Sequence, residues 1–196
     1  PSSRLTRCAS FWAALPQPSQ ATITTPMRCD KIGTLLHLIQ FSDSALPGGG
    51  FSFSNTLESA VEMGLVHDCT TLEEFTHSLI IQAATTDGVA AINAYRATGR
   101  GDIQAIIRCD NALHAQKANA EQRLMSQRMG RKMAELGAEI TGDKLLKRLC
   151  EEIASSRSAG TYAVVQGTLF AICHIGEAEL FASLCYGTAS MVVNAA

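Results

Sequence analysis

Apolar positions recur at helical spacing along almost the whole chain after residue 30. Leu35, Leu36, Leu38, Ile39 and Phe41 predict a first amphipathic helix ending near Ser42, and Phe53 to Met63 predicts a second, closed by Gly64. Thr70-Thr71-Leu72-Glu73-Glu74 reads as the start of a third, with Thr70 or Thr71 as N-cap, acids in the first turn and Phe75, Leu79 and Ile80 along one side. Asp87 is read as the cap of a segment running to Ala97, and the Thr98-Gly99-Arg100-Gly101-Asp102 turn leads into Ile103, Ile106 and Ile107. A long helix from about Ala115 to Leu136 places Met125, Met129, Met133 and Leu136 on one stripe, where thioethers fill gaps in packing. Gly142 and Asp143 open a helix bearing Leu145, Leu146, Leu149 and Ile153, and Gly160 to Ala196 is nearly uncharged apart from Glu177 and Glu179. Strand signals are scarce. The expected fold is all-α, a single-domain bundle of roughly eight to ten helices.

Ala159 to Gly176 approaches the length of a membrane span, but Gln166, His174, Thr161, Thr168 and several glycines dilute it and no basic cluster flanks it. The expectation is the central helix of a bundle, apolar all round, and no membrane. Residues 1–26 carry Arg4 and Arg7, no acid and four prolines, the make-up of a transit peptide, without a continuous apolar core. Residues 1–30 are therefore expected to be a disordered extension, with Met27 a plausible native start, and 31–196 the helical domain.

Charge divides the chain. Between Ile32 and Tyr95 there is no Lys or Arg against seven acids, whereas Arg96 to Arg157 holds twelve basic and eight acidic residues. A formal net charge of −2 excludes a general nucleic-acid binder, and the polarity suits complementary protein contacts. Seven cysteines with no CxxC pair fit buried thiols in a reducing cytoplasm.

Catalytic and metal signals are sparse. Cys173-His174 is the one adjacent Cys/His pair, and neighbours on a helix diverge, so a thiol or hydrolytic site there is the weaker reading beside buried packing. His37, His67, His77 and His114 show no zinc-type spacing, and no stably bound metal or other cofactor is expected. Gly48-Gly49-Gly50 lacks the GxxxxGK[ST] frame and any nearby Lys for a phosphate, and no GxSxG is present. That leaves an interaction protein, not an enzyme, with a helical scaffold as the generic form of the same reading.

The loop Asp43-Ser44-Ala45-Leu46-Pro47-Gly48-Gly49-Gly50-Phe51-Ser52-Phe53-Ser54, with Leu57-Glu58 after it, is too specified for a linker, since proline and glycines fix an unusual backbone path. With Leu38-Ile39-Gln40-Phe41-Ser42 before it, it resembles the amino-terminal signature of the UreF family of urease accessory proteins. Ala118, Glu121, Arg123, Ser126, Gly130 and Arg131 are similar to that family's central helix. Tyr162-Ala163-Val164-Val165-Gln166-Gly167, Tyr186-Gly187 and Val192-Val193-Asn194-Ala195-Ala196 resemble its carboxy-terminal helices.

The resemblance covers residues 31–196. It implies an all-α cytoplasmic homodimer without catalytic activity that binds UreD (UreH) and the GTPase UreG, engages apo-urease, and assists nickel insertion while regulating GTP hydrolysis. Nickel is then cargo. Pro47, Gly49, Gly50, Phe51 and Glu58 fall on the implied partner-binding surface, Glu58 facing UreG or standing as an ordinary exposed carboxylate. Glu121, Arg123 and Arg131 match the central motif, with an internal salt bridge and a partner contact both open. Gly48 and Thr56 depart from the pattern, Thr56 standing where the family has glycine. The family's chain continues past Asn-Ala-Ala into a tail that contacts UreD, so this sequence is expected to be truncated at Ala196.

Overall fold

The computed structural model describes residues 29–42 and 56–196. In chain order the helices are α1 (Cys29–Ser42), α2 (Leu57–Glu62), α3 (Cys69–Ala83), α4 (Val89–Gly99), α5 (Ile103–Gln116), α6 (Ala120–Thr141), α7 (Lys144–Ala154), α8 (Tyr162–Ile172) and α9 (Glu177–Ala195), with a π-helical turn at Ala84–Gly88. No strand is present among the described residues. The all-α reading holds, and the loop holding Pro47, Gly49, Gly50 and Phe51 lies outside the described residues.

The uncharged run becomes the axis of the bundle. Every residue of α8 from Ala163 to Phe170 is buried, with α4, α6 and α9 packed round it. Among the described residues no helix is long and apolar enough to cross a membrane. Burial on all sides explains the absence of amphipathic pattern there. Close approach depends on small residues: Ala91, Ala94 and Ala97 of α4 are buried, and a Cβ on Gly167 would lie 2.3 Å from the Ala91 carbonyl oxygen. A second, smaller core joins Leu57, Ala60 and Val66 to Val192, with Leu72, Phe75 and Leu79 against it, so α2 rides on α3 and the end of α9.

Several boundaries moved for local reasons. Asp68, not Thr70 or Thr71, caps α3: its carboxylate accepts from Thr71 N–H at 2.8 Å, while Thr71 Oγ1 accepts from the Asp68 N–H at 3.1 Å. That reciprocal box satisfies two end groups at once. Asp87 caps nothing, because α3 continues through the π-turn into α4 with helical backbone on both sides. The long helix is displaced toward the C-terminus: α5 runs on to Gln116, and Lys117 and Asn119 are extended before α6 begins. Asn119 Oδ1 takes the Glu121 N–H at 2.8 Å and sets that start. Of the methionine stripe, Met133 is core and Met125 and Met129 are partly buried.

Candidate functional site

The residues singled out from sequence divide into those used by the fold and those left outside it. Glu58 lies in the first turn of α2 and is exposed. Glu121 occupies the same position in α6, also exposed, and Arg131 is exposed further along that helix. Each acid is favoured there by the positive end of the helix dipole. Arg123 is different. Its guanidinium donates to the carbonyl oxygens of Lys117 and Ala118, the latter at 2.9 Å, closing the unsatisfied end of α5. No ion pair among the described residues joins Glu121, Arg123 or Arg131. The internal salt bridge is therefore absent, and Arg123 is a helix-end clamp. Glu58 and the α6 residues do not form one cluster: α2 rides on α3 and α9, while α6 packs on α7 and α8.

Three charged groups missed by sequence reasoning organise the interior. Asp110 on α5 is completely buried and accepts from Thr161 N–H at 2.8 Å and Thr161 Oγ1 at 2.5 Å. Gly160 N–H at 2.6 Å and the Ser158 hydroxyl also donate to it. Asn111 next to it binds Ala159 N–H and the Arg157 carbonyl at 3.1 and 3.0 Å. This pair fastens the turn that leads into α8. Ser126 Oγ holds Tyr162 N–H at 3.1 Å from the other side, and a Cβ on Gly130 would stand 2.1 Å from the Gly160 oxygen. Ser126 and Gly130 in the central motif are thus the contact face of α6 on that turn.

The second group is Glu152, whose side chain is 3% exposed between two arginines, Arg148 at 3.0 Å and Arg157. Hydrogen bonding from Arg157 holds its carboxyl below the usual range. The third is Lys117, bound to both Asp87 oxygens at 2.8 and 2.9 Å in a mostly buried pair. It ties the α5–α6 break to the π-turn. One signal was legible: Asp110 stands four residues after Ile106 and three before Leu113, an acid within a core stripe.

Cys173 and His174 do not form a catalytic pair. Burial pushes the Cys173 thiol up to about 11, away from the reactive thiolate. His174 is exposed, with φ 55°, and its N–H closes α8 on the Ala171 carbonyl at 3.2 Å. It ends a helix. Among the described residues no group of three or more His, Cys, Asp or Glu side chains is placed to hold a metal ion.

Buried charges satisfied within the chain and exposed charged helix ends describe an all-helical scaffold. The comparisons with known proteins agree with that class. A family model described as UreF matches residues 66–196. Over 162 residues the chain is 47% identical to "Urease accessory protein UreF 2" of Brucella canis and of Brucella suis biovar 1, covering 83% of this chain and 67% of the relatives. It is 41% identical to "Urease accessory protein UreF" of Yersinia pseudotuberculosis, covering 83% of this chain and 71% of that relative. The chain belongs to the UreF family, and so to a family of accessory proteins and not of enzymes.

Proposed function

We propose that this chain acts in urease maturation, joining UreD (UreH) and the GTPase UreG on apo-urease so that nickel is inserted when the partners are docked. In this reading it regulates when UreG hydrolyses GTP, works as a cytoplasmic homodimer, and handles nickel as cargo with no resident site of its own. Transient contact suits delivery, since a closed set of strong ligands would slow release.

The observation that carries the reading is the fate of the family-matching charges. Glu58, Glu121 and Arg131 remain exposed at helix surfaces, and none makes an ion pair among the described residues. Arg123, Ser126 and Gly130 are instead used inside the fold, Arg123 at the α5–α6 break and Ser126 and Gly130 against the turn that leads into α8. Exposed, uncompensated charges of this kind serve encounter and register with a partner.

The test is reconstitution of the full-length protein with purified UreG and UreD from the same organism. Complexes with both at micromolar concentration are expected, with Glu58→Ala weakening UreG selectively. Full-length protein that binds neither would overturn the proposal.

A further inference from the structure

Two hydrophobic cores share this chain, and two helical paths run from one to the other. The main core takes Ala91, Ala94 and Ala97 of α4 with Leu180 and Leu184 of α9. The smaller core takes Val192 near the end of α9, with Leu72, Phe75 and Leu79 of α3 against it. One path is therefore α3 into α4, and the other is α9. Apart from the π-turn that continues it, α3 packs on α9, whereas α4 packs on α8 and α5.

Each path is softened where it crosses. On the first lies the π-turn Ala84–Gly88, a widened coil of the kind at which helices kink. Thr85 Oγ1 donates to the Ile81 and Gln82 carbonyls at 2.9 and 3.1 Å, and Thr86 Oγ1 to Gln82 at 2.7 Å. With these added donors the backbone bonds can lengthen without leaving an acceptor unpaired. On the second path Gly187 stands between Leu184 and Val192, and a Cβ there would meet nothing within 4 Å. Packing does not require glycine at that position, and glycine inside a helix weakens it. Thr188 next to it returns its hydroxyl to the Leu184 carbonyl at 3.0 Å, a bond that bends helices. One soft point alone would be held straight by the other path. A soft point on both lets the smaller core swing.

Lys117 reaches the first of these points from the main bundle. Its ammonium holds both Asp87 oxygens at 2.8 and 2.9 Å in a mostly buried pair, while its carbonyl accepts from Arg123 of α6. No other ion pair among the described residues reaches α2, α3 or the π-turn.

We propose that Ala84–Gly88, with Gly187 beside it on α9, is a hinge about which α2, α3 and the end of α9 move as one unit, and that Lys117 on Asp87 is the latch that holds it closed. The unit carries Glu58, whereas Glu121 and Arg131 stay with α6. Opening thus changes the separation between the two groups of exposed charges. The hinge belongs to the isolated chain, so its failure leaves the proposed function untouched.

Double electron–electron resonance on the full-length protein tests this, with spin labels in place of Glu74 on α3 and Glu139 on α6, both exposed. A ketone-bearing amino acid carries the labels so that the native cysteines stay unmodified. A control pair, in place of Arg108 and Glu139, lies wholly on the main bundle. Wild type should show one principal separation for the first pair with a minor second one. Lys117→Met is expected to raise the second population by about fivefold, the scale of losing one partner of a partly buried ion pair. Gly187→Ala, which stiffens α9 without a clash, should lower it, and the control pair should stay unchanged in all three proteins.

A single, equally narrow separation for the first pair in wild type and both variants overturns the hinge. A second population that Lys117→Met leaves unchanged overturns the latch. Broadening of the control pair to the same extent as the first reports general loosening of the bundle and overturns both.

Discussion

Asp110 and Thr161 are joined twice, by the Thr161 N–H at 2.8 Å and its hydroxyl at 2.5 Å, across 51 residues of chain. The carboxylate also holds Gly160 and Ser158, so it determines how the chain enters the central helix. Asp110→Ala leaves those donors buried without an acceptor. The expected cost is about 3–5 kcal/mol, the range for removing one side of a buried charged network. In a domain of this size that lowers the Tm by about 10 °C, measurable by circular dichroism. Asp110→Asn should fall between, because its amide turns a donor toward a donor. A Tm within about 2 °C of wild type for the alanine variant contradicts the account.

Two glycines and a third should respond oppositely to alanine. At Gly130 a methyl would meet the Gly160 carbonyl oxygen at 2.1 Å, and at Gly167 the Ala91 oxygen at 2.3 Å. Backbone cannot step aside as a side chain can. Each substitution is expected to cost about 2 kcal/mol or more by forcing helices apart. Gly99, with nothing within 4 Å, should be neutral or gain up to about 1 kcal/mol from better helix propensity. Urea unfolding of the three variants separates the cases.

Thr56 occupies the left-handed region at φ 72° just before α2. A β-branched residue is strained there by about 1–2 kcal/mol relative to glycine. Thr56→Gly should raise stability by about 0.5–1 kcal/mol, the gain being reduced by the greater freedom of glycine in the unfolded chain. Destabilisation on urea titration would show that the contacts of Thr56 outweigh its backbone strain.

Alkaline pH should unfold the protein in a defined window. Burial raises the Cys173 thiol from 9.0 to about 11 and the Tyr162 phenol from 10.0 to about 12. Burial likewise raises Cys109, Cys150 and Cys185. The folded state keeps protons that the unfolded state releases, so this stability is complete below pH 9 and is lost as pH rises through the folded values. Tm is expected to decline from about pH 9 to 12, and Tyr162→Phe to flatten the part above about pH 10. A flat wild-type profile across that window would contradict the raised values of these buried groups.

The hydropathy pattern by itself determined the class of fold, because apolar residues at 3.6-residue spacing have no other way to bury one face. It also located the helices from Leu35 to Ser42 and from Leu145 to Ile153 closely, and the uncharged run from Ala159 correctly became the buried axis. The signature motifs identified the family. Cap positions were less legible, since Asp68 competed with two adjacent threonines and the reciprocal bond with Thr71 decided between them. Asp87 looked like a cap by type. What assigns it is Lys117, thirty residues away, together with a π-turn that no local pattern encodes.

Tertiary structure alone decided which motif residues serve the fold and which face outward. Arg123 could have paired with Glu121, but the carbonyls ending α5 lie within its reach and need a donor more. Glycine 130 was legible only as a motif letter until the Gly160 backbone was seen against it. Met63 was expected only as the end of the second helix, and the turn at Gly64, with Val66 packed inward, leaves it and Leu65 exposed. Periodicity is a local property and the sequence carries it openly. Which polar group must be satisfied, and by what, depends on residues far away in the chain, and the packed fold settles it.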